Sequence, residues 1–218
     1  MAEIYVNYGC GLSAPGTWLN FDASPRLRAE RTPIVKAALA LRHDLLFPAN
    51  VRYGDITRGL PVATESAECL YCSHVLEHLS SDDVDRALRE TFRMLRPGGT
   101  FRLVVPDLLS RAEAYVREAA DCSPHASDHF MRSTLLGEEA RSTSLRARVR
   151  QLLGNTAHRW MFDFAGMRAR LQECGFVEIR RCSFGDATHP AFADVEDRSR
   201  FYEDGEPELA IEAKKRTA

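Results

Sequence analysis

Short apolar runs alternate along this chain with longer stretches of helical spacing. Strand-like runs fall near residues 4–8, 18–21, 51–54, 68–73, 100–105, 176–183 and 207–213. Between the second and third, Ile34, Ala37, Ala38, Leu41 and Leu45 recur at helical spacing over 33–46. Ser24 followed by Pro25 reads as an N-cap and first helical residue. The clearest helix covers about 82–95, with Val84, Ala87, Leu88, Thr91 and Leu95 on one stripe and Arg86, Arg89, Glu90 and Arg93 facing out. Ser80 with Asp83 approximates a capping box at its start. Pro97-Gly98-Gly99 is expected to stop it and turn the chain into the strand at Thr100. A last helix, about 163–174, ends at Gly175, a natural C′ residue. Strands and helices that alternate with short turns imply an α/β fold, a doubly wound parallel sheet covered on both faces.

That rhythm breaks between 108 and 160. Two polar helical patterns, 109–120 and 137–153, are joined by "DCSPHASDHF". We read them as a helical insertion or lid after the fifth strand, within a single domain spanning 1–218. The second half carries Arg141, Arg146, Arg148 and Arg150, either a solvated face or a surface for an anionic substrate or partner.

The first strand leads into Gly9-Cys10-Gly11, and the second ends in Asp22. Glycines there let a backbone approach a ligand, and an acid after the second strand can accept both ribose hydroxyls. Dinucleotide folds place roughly 20 residues between those features, because a whole helix lies between them. Here ten residues separate Gly11 from Asp22. A return along a five-residue strand covers about 17 Å, which six extended residues can span. The crossover helix is therefore expected to shrink to a loop. A pyrophosphate would miss that helix, whose N-terminal amides hold phosphates. An adenosine with a cationic or zwitterionic tail would miss it less, which disfavours an NAD-linked oxidoreductase.

Composition narrows the class without changing it. Hydrophobic residues make up 44% and charged residues 28%, a globular balance. A net charge of −2 supplies no global field for nucleic acid or anionic lipid, so any nucleic-acid partner would depend on the 141–150 arginines alone. No apolar run approaches the roughly 18 residues of a membrane helix. The chain starts directly on a strand-like segment, which leaves no room for a secretory leader and points to the cytoplasm. Cys69 and Cys72 form a C-x-x-C inside a strand, where the two thiols point to opposite faces and cannot share a metal or a disulfide.

The ordered segments "VNYGCG", "WLNFD", "YGDI", "YCSHVLEHL", "LRPGGTFRLVVPDL" and "LQECGFVEI" resemble the motifs of class I S-adenosylmethionine-dependent methyltransferases. More narrowly, they resemble the small bacterial type-11-like group in which the first crossover is short. The resemblance implies a Rossmann-like, mostly parallel seven-stranded sheet whose last strand, similar to "ELAIEAKK", runs antiparallel. It also implies S-adenosylmethionine as cofactor, leaving S-adenosylhomocysteine. Gly9, Cys10 and Gly11 would line its methionine portion, Asp22 would take the ribose, and Asp55 with Ile56 would meet the adenine. Ser73 would lie beneath the cofactor. Asn7 stands where the family often has an acid, and would bond the ligand's amino group without charge. Ser13 and Ala14 replace the third glycine of the loop. Asp55 can alternatively be read as a cap for Ile56-Thr57. A non-catalytic adenosylmethionine-binding module, which the Asn7 departure permits, and a nucleic-acid methyltransferase using the 141–150 arginines are further alternatives.

Ser73-His74-Val75-Leu76-Glu77-His78 follows the fourth strand, at the edge where open α/β folds bind ligands. Three readings compete for it. His74 or His78 is a general base for an acceptor hydroxyl, since imidazole titrates near neutrality. Alternatively His74, Glu77 and His78 bind a divalent cation, as a similar Glu-x-x-Glu-His does in related O-methyltransferases of quinone biosynthesis and small-RNA methylation. Replacement of the first acid by His74 weakens a hard-cation site, so no metal is assigned. In the third reading the residues are structural, with Glu77 paired to Arg102 or a histidine. His158 and Trp160, in a His-x-Trp after the insertion, would complete the acceptor pocket, and Asp107 is a further candidate. The expected reaction is methyl transfer to a small-molecule acceptor, a sugar or glycan by analogy, at oxygen.

Overall fold

Residues 3–32, 46–137, 157–203 and 205–217 are described by the computed structural model. Its strands are β1 (Tyr5–Tyr8), β2 (Leu19–Asp22), β3 (Val51–Tyr53), β4 (Ala67–Ser73), β5 (Leu95–Val105), β6 (Phe176–Arg181) and, after a small hairpin of β7 (Tyr202–Glu203) and β8 (Glu206–Pro207), β9 (Leu209–Lys215). Seven of them form one sheet in the order β3-β2-β1-β4-β5-β9-β6. All pairings are parallel except those of β9, which runs antiparallel between β5 and β6. The doubly wound, seven-stranded Rossmann-like sheet with a reversed last strand is thus observed.

Side-chain alternation along β4 sets the two faces. Leu70 and Cys72 join the larger core, where Val84, Ala87 and Leu88 of α2 (Ser81–Met94) and Met167 and Leu171 of α5 (Phe164–Glu173) cover the sheet. Cys69 and Tyr71 face the other way, onto Trp18, Phe192, Val195 and Phe201. The C-x-x-C thiols therefore part company as expected, and burial pushes both well above the ordinary thiol range.

Ser24 caps α1 (Pro25–Glu30) by accepting from the Arg26 amide at 3.2 Å. At α2 the Ser80 hydroxyl accepts from the Asp83 amide at 3.3 Å and donates to the Asp83 carboxylate at 2.7 Å. The short aspartate thus reaches the serine hydroxyl where a glutamate would reach the backbone. Glu90 is not on the outer face: it accepts from the Leu60 amide at 2.9 Å and pairs with Arg93. Gly175 ends α5 with φ 98°.

Two sequence expectations are corrected. Pro97-Gly98-Gly99 is not a turn before the strand, because β5 begins at Leu95. Ala67 pairs with Leu95 and Cys69 with Thr100, so the three residues are extra length bulged out of a continuous strand. A Cβ on Gly99 would lie 2.9 Å from the Arg96 carbonyl oxygen and 3.0 Å from those of Ala67 and Glu68. Backbone cannot move aside as a side chain can, so Gly99→Ala is expected to destabilise the fold by about 1–3 kcal/mol, read as a lower urea midpoint at unchanged slope. The second correction concerns "DCSPHASDHF". It is not a plain link, because α4 (Ala126–Ser133) begins inside it. The helix read at 109–120 is present as α3 (Leu108–Ala120). The patterns at 33–46 and 137–153, and the four arginines 141–150, lie wholly or almost wholly outside the described residues.

Candidate active site

The carboxyl ends of β1 to β4 open into one cavity of about 420 Å³, within the size range of small-molecule sites. Its wall is built from Tyr8 and Gly9, then Asp22 to Pro25, then Gly54, Asp55 and Ile56, and finally His74, Val75, His78 and Leu79.

Gly9 has φ 67°, and a Cβ there would stand 2.0 Å from Val75 Cγ2. Glycine is thus demanded twice, by conformation and by the valine lying on the turn. The Gly11 amide donates to Asp22 Oδ2 at 3.0 Å, and the Ser24 amide donates to Asp22 Oδ1 at 2.7 Å. The carboxylate closes the bend on itself, with no helix in between. Each oxygen keeps a lone pair beyond the amide it already holds.

Asn7 does not line the cavity. It is buried, and its amide donates to the Ser13 carbonyl at 3.0 Å, tying down the loop that lacks the third glycine. Cys10 and Gly11 lie behind Gly9, outside the lining residues, and burial followed by the nearby Asp22 pushes the Cys10 thiol up to about 12. Ser73 is also absent from the lining; its hydroxyl is buried with no hydrogen-bond partner among the described residues. Asp55 caps the turn at Ile56–Arg58, accepting from the Thr57 amide at 3.0 Å and hydroxyl at 2.7 Å. It lines the cavity as well, so the cap reading and the pocket reading hold together.

Two histidines, His74 and His78, stand on the far wall; His158 is buried against His78 and is not among the lining residues. His74 sits at φ 52°, in the left-handed region. Its Nε2 donates to the Arg200 carbonyl at 2.9 Å, and its Nδ1 lies 3.2 Å from Glu77 Oε1. Burial lowers its pKa, but the Glu77 carboxylate and the Arg200 carbonyl outweigh that and leave it raised. Glu77 therefore neighbours a histidine, as one reading had it, and not Arg102, which pairs with Asp186, Glu196 and Glu212. His78 Nδ1 donates to the Ala157 carbonyl at 3.1 Å, and His158 Nδ1 donates to the Thr134 carbonyl at 2.8 Å. The two rings meet edge to face, 5.1 Å apart. Burial, reinforced by His78, lowers the pKa of His158. The Glu77 carbonyl accepts from the amides of Arg159 at 2.7 Å and Trp160 at 3.2 Å, which ties the segment after the insertion to this wall. The Trp160 ring is 44% exposed, so it is not core. Asp107 is consumed structurally, capping α3 and pairing with Arg181 at 3.0 Å.

Residues 7–103 match the family model described as "Methyltransferase domain". That stretch is similar to a methyltransferase domain. The chain shares its fold with a chain of the Haloferax volcanii Trm112 methyltransferase activator complex, at 15% identity and TM-score 0.52, covering 100% of this chain and 83% of that one. A SAM-dependent methyltransferase from Archaeoglobus fulgidus aligns at 14% identity and TM-score 0.48, covering 98% of this chain and 86% of that one. No curated protein matches the chain. Among its described residues no helix is long and apolar enough to cross a membrane.

Sequence reasoning missed Tyr8, Ala23, Ser24, Pro25, Gly54, Val75 and Leu79 as parts of the cavity wall. One signal was available: Ser24-Pro25 marks a helix start directly after the Asp22 strand, and a helix start there faces the carboxyl edge of the sheet.

Proposed function

We propose that the chain is an S-adenosylmethionine-dependent methyltransferase that passes the methyl group by in-line displacement to a hydroxyl of a small, saccharide-like acceptor. The chain then acts as one domain, 1–218, with 108–160 as the lid over the acceptor. The observation that carries the donor half is the charge of the cavity. No lysine or arginine lines it among the described residues, while Asp22 and Asp55 do. That wall suits an adenosine carrying a cationic sulfonium and repels a pyrophosphate.

In this reading the spare lone pairs of Asp22 accept the two ribose hydroxyls, Asp55 and Ile56 flank the adenine, and the Gly9-Cys10-Gly11 bend passes the methionine portion. Asn7 and Ser73 support that bend and the floor from beneath. The acceptor lies against His74 and His78, with His158 packed behind His78. The sulfonium is a good leaving group, so positioning supplies much of the rate, and the hydroxyl proton still needs an acceptor. Both ring nitrogens of His74 face acceptors, which suits it to orienting the substrate. His78, its Nδ1–H spent on a carbonyl, retains a lone pair on Nε2 for the proton.

Thermal denaturation tests the donor half. S-adenosylhomocysteine at 100 times its Kd is expected to add about 2.7 kcal/mol of stability, and NAD none. A shift with NAD alone would overturn the reading. For the acceptor half, His78→Ala is expected to lower kcat by roughly 10²–10⁴-fold, with S-adenosylhomocysteine affinity changed less than threefold or so by calorimetry, and His74→Ala and His158→Ala are expected to lower kcat as well. Full rate in all three would remove these imidazoles from the reaction.

A further inference from the structure

The Glu77 side chain is fully buried; its Oε1 lies 3.2 Å from His74 Nδ1, and neither oxygen has any other partner among the described residues. An ionised carboxylate without donors inside a protein is costly, and it is met by a proton, by a cation or by metal coordination. Its nearest basic neighbours are three histidines. His74 turns Nδ1 to Glu77 and gives Nε2 to the Arg200 carbonyl, which leaves neither of its nitrogens for an ion. His78 and His158 are differently arranged: each gives its Nδ1–H to a backbone carbonyl, which leaves Nε2 as the nitrogen with a free lone pair. A histidine held this way by its other nitrogen has the tautomer and fixed ring orientation of a metal ligand. One donor atom from each of Glu77, His78 and His158 lies within 4.8 Å of the other two. An ion with bonds of about 2.1 Å sets its ligands roughly 3.0–3.4 Å apart, so side-chain rotations that draw the donors in by about 1–2 Å complete the set.

We propose that Glu77, His78 and His158 form a binding site for a divalent transition-metal ion at the acceptor wall of the cavity. The set differs from the His74, Glu77 and His78 triplet that sequence spacing suggests, because it replaces the ring bonded to Arg200 with one brought in from beyond the insertion. The donor chemistry differs too. Two imidazoles and one carboxylate select Zn²⁺, Co²⁺, Mn²⁺ or Fe²⁺ over the harder Mg²⁺. Three protein ligands leave coordination positions open on the side of His78, which lines the cavity. An acceptor hydroxyl bound there would be acidified by the ion, and His78 would serve as ligand in place of base. This use of the site rests on the proposed methyl transfer, whereas the site itself does not.

The test uses the full chain, stripped with a chelator and titrated with Zn²⁺ and with Co²⁺. One ion per chain is expected by elemental analysis, with a visible Co²⁺ absorption band and no displacement by equimolar Mg²⁺. Glu77→Gln and His158→Gln, whose circular dichroism reports whether they fold, are each expected to weaken binding by more than the roughly 10–100-fold that loss of a supporting residue costs. His125→Gln, an exposed histidine outside the site, is expected to leave binding unchanged. No retained ion in the parent chain, or equal affinity in the folded variants, would overturn the site. S-adenosylhomocysteine binding, measured on the same samples, keeps the two readings apart. Its persistence in a chain that holds no metal removes the ion and leaves the methyltransferase reading intact. Its absence from a metal-loaded chain does the reverse.

Discussion

Asp22→Ala is expected to weaken S-adenosylhomocysteine binding by about 10²–10⁴-fold. In the proposed reading the carboxylate offers one lone pair per oxygen to the ribose, and hydrogen bonds to a charged group contribute about 1.5–3 kcal/mol each. Two of them come to about 3–6 kcal/mol, at 1.4 kcal/mol per decade of affinity. The same substitution takes the acceptors from the amides of Gly11 and Ser24, so the bend itself loosens. Asp22→Asn separates the contributions. It keeps an oxygen for one amide, turns a donor toward the other and removes the charge. Its affinity is expected to fall between those of the parent and Asp22→Ala. Calorimetry on folded protein decides; unchanged affinity in Asp22→Ala would show that the ribose lies elsewhere.

Arg102→Ala is expected to cost about 3–5 kcal/mol of stability, because removing one member of a buried ionic cluster strands the others. Arg102 has no exposed surface. It donates to the Ser183 carbonyl at 2.6 Å, to Asp186 at 3.1 Å, to Glu212 at 3.2 Å and to Glu196. Glu196 and Glu212 are themselves almost wholly buried. Arg180 also reaches Glu212, at 3.0 Å, but cannot serve Glu196 from there. The loss should extend to the cavity. Glu196 and Asp186 belong to the 183–201 segment that ends in Phe201 and includes the Arg200 carbonyl on which His74 rests. A lower denaturation midpoint together with reduced kcat is the expected signature. A midpoint within about 0.5 kcal/mol of the parent, the range of ordinary surface substitutions, would show that the cluster contributes nothing net.

Much of the fold was legible because period-two runs and helical stripes report burial directly. All seven sheet strands, α2, α3 and α5 stand close to where those patterns put them. Pro97-Gly98-Gly99 misled because its local chemistry is that of a turn, while pairing of the flanking Leu95 and Thr100 with β4 is a tertiary effect. The site was legible where a single residue carries its function in one place. Gly9, Asp22, Asp55, Ile56, His74 and His78 all reach the cavity. Asn7 could not be placed from the sequence, since a buried amide takes whichever partner lies nearest, here the Ser13 carbonyl. Arg102 was equally opaque. A charged residue in the middle of an apolar strand only makes sense once Glu196 and Glu212 are known to converge on it from remote segments.

Every cavity-lining residue among those described lies between Tyr8 and Leu79. The elements beyond β5 touch that wall through few described links, the Arg159 and Trp160 amides on the Glu77 carbonyl among them. If that wall holds the methyl donor as proposed, its grip is encoded in the front part of the sequence, and substitutions after Val105 that leave the sheet intact are expected to spare donor affinity.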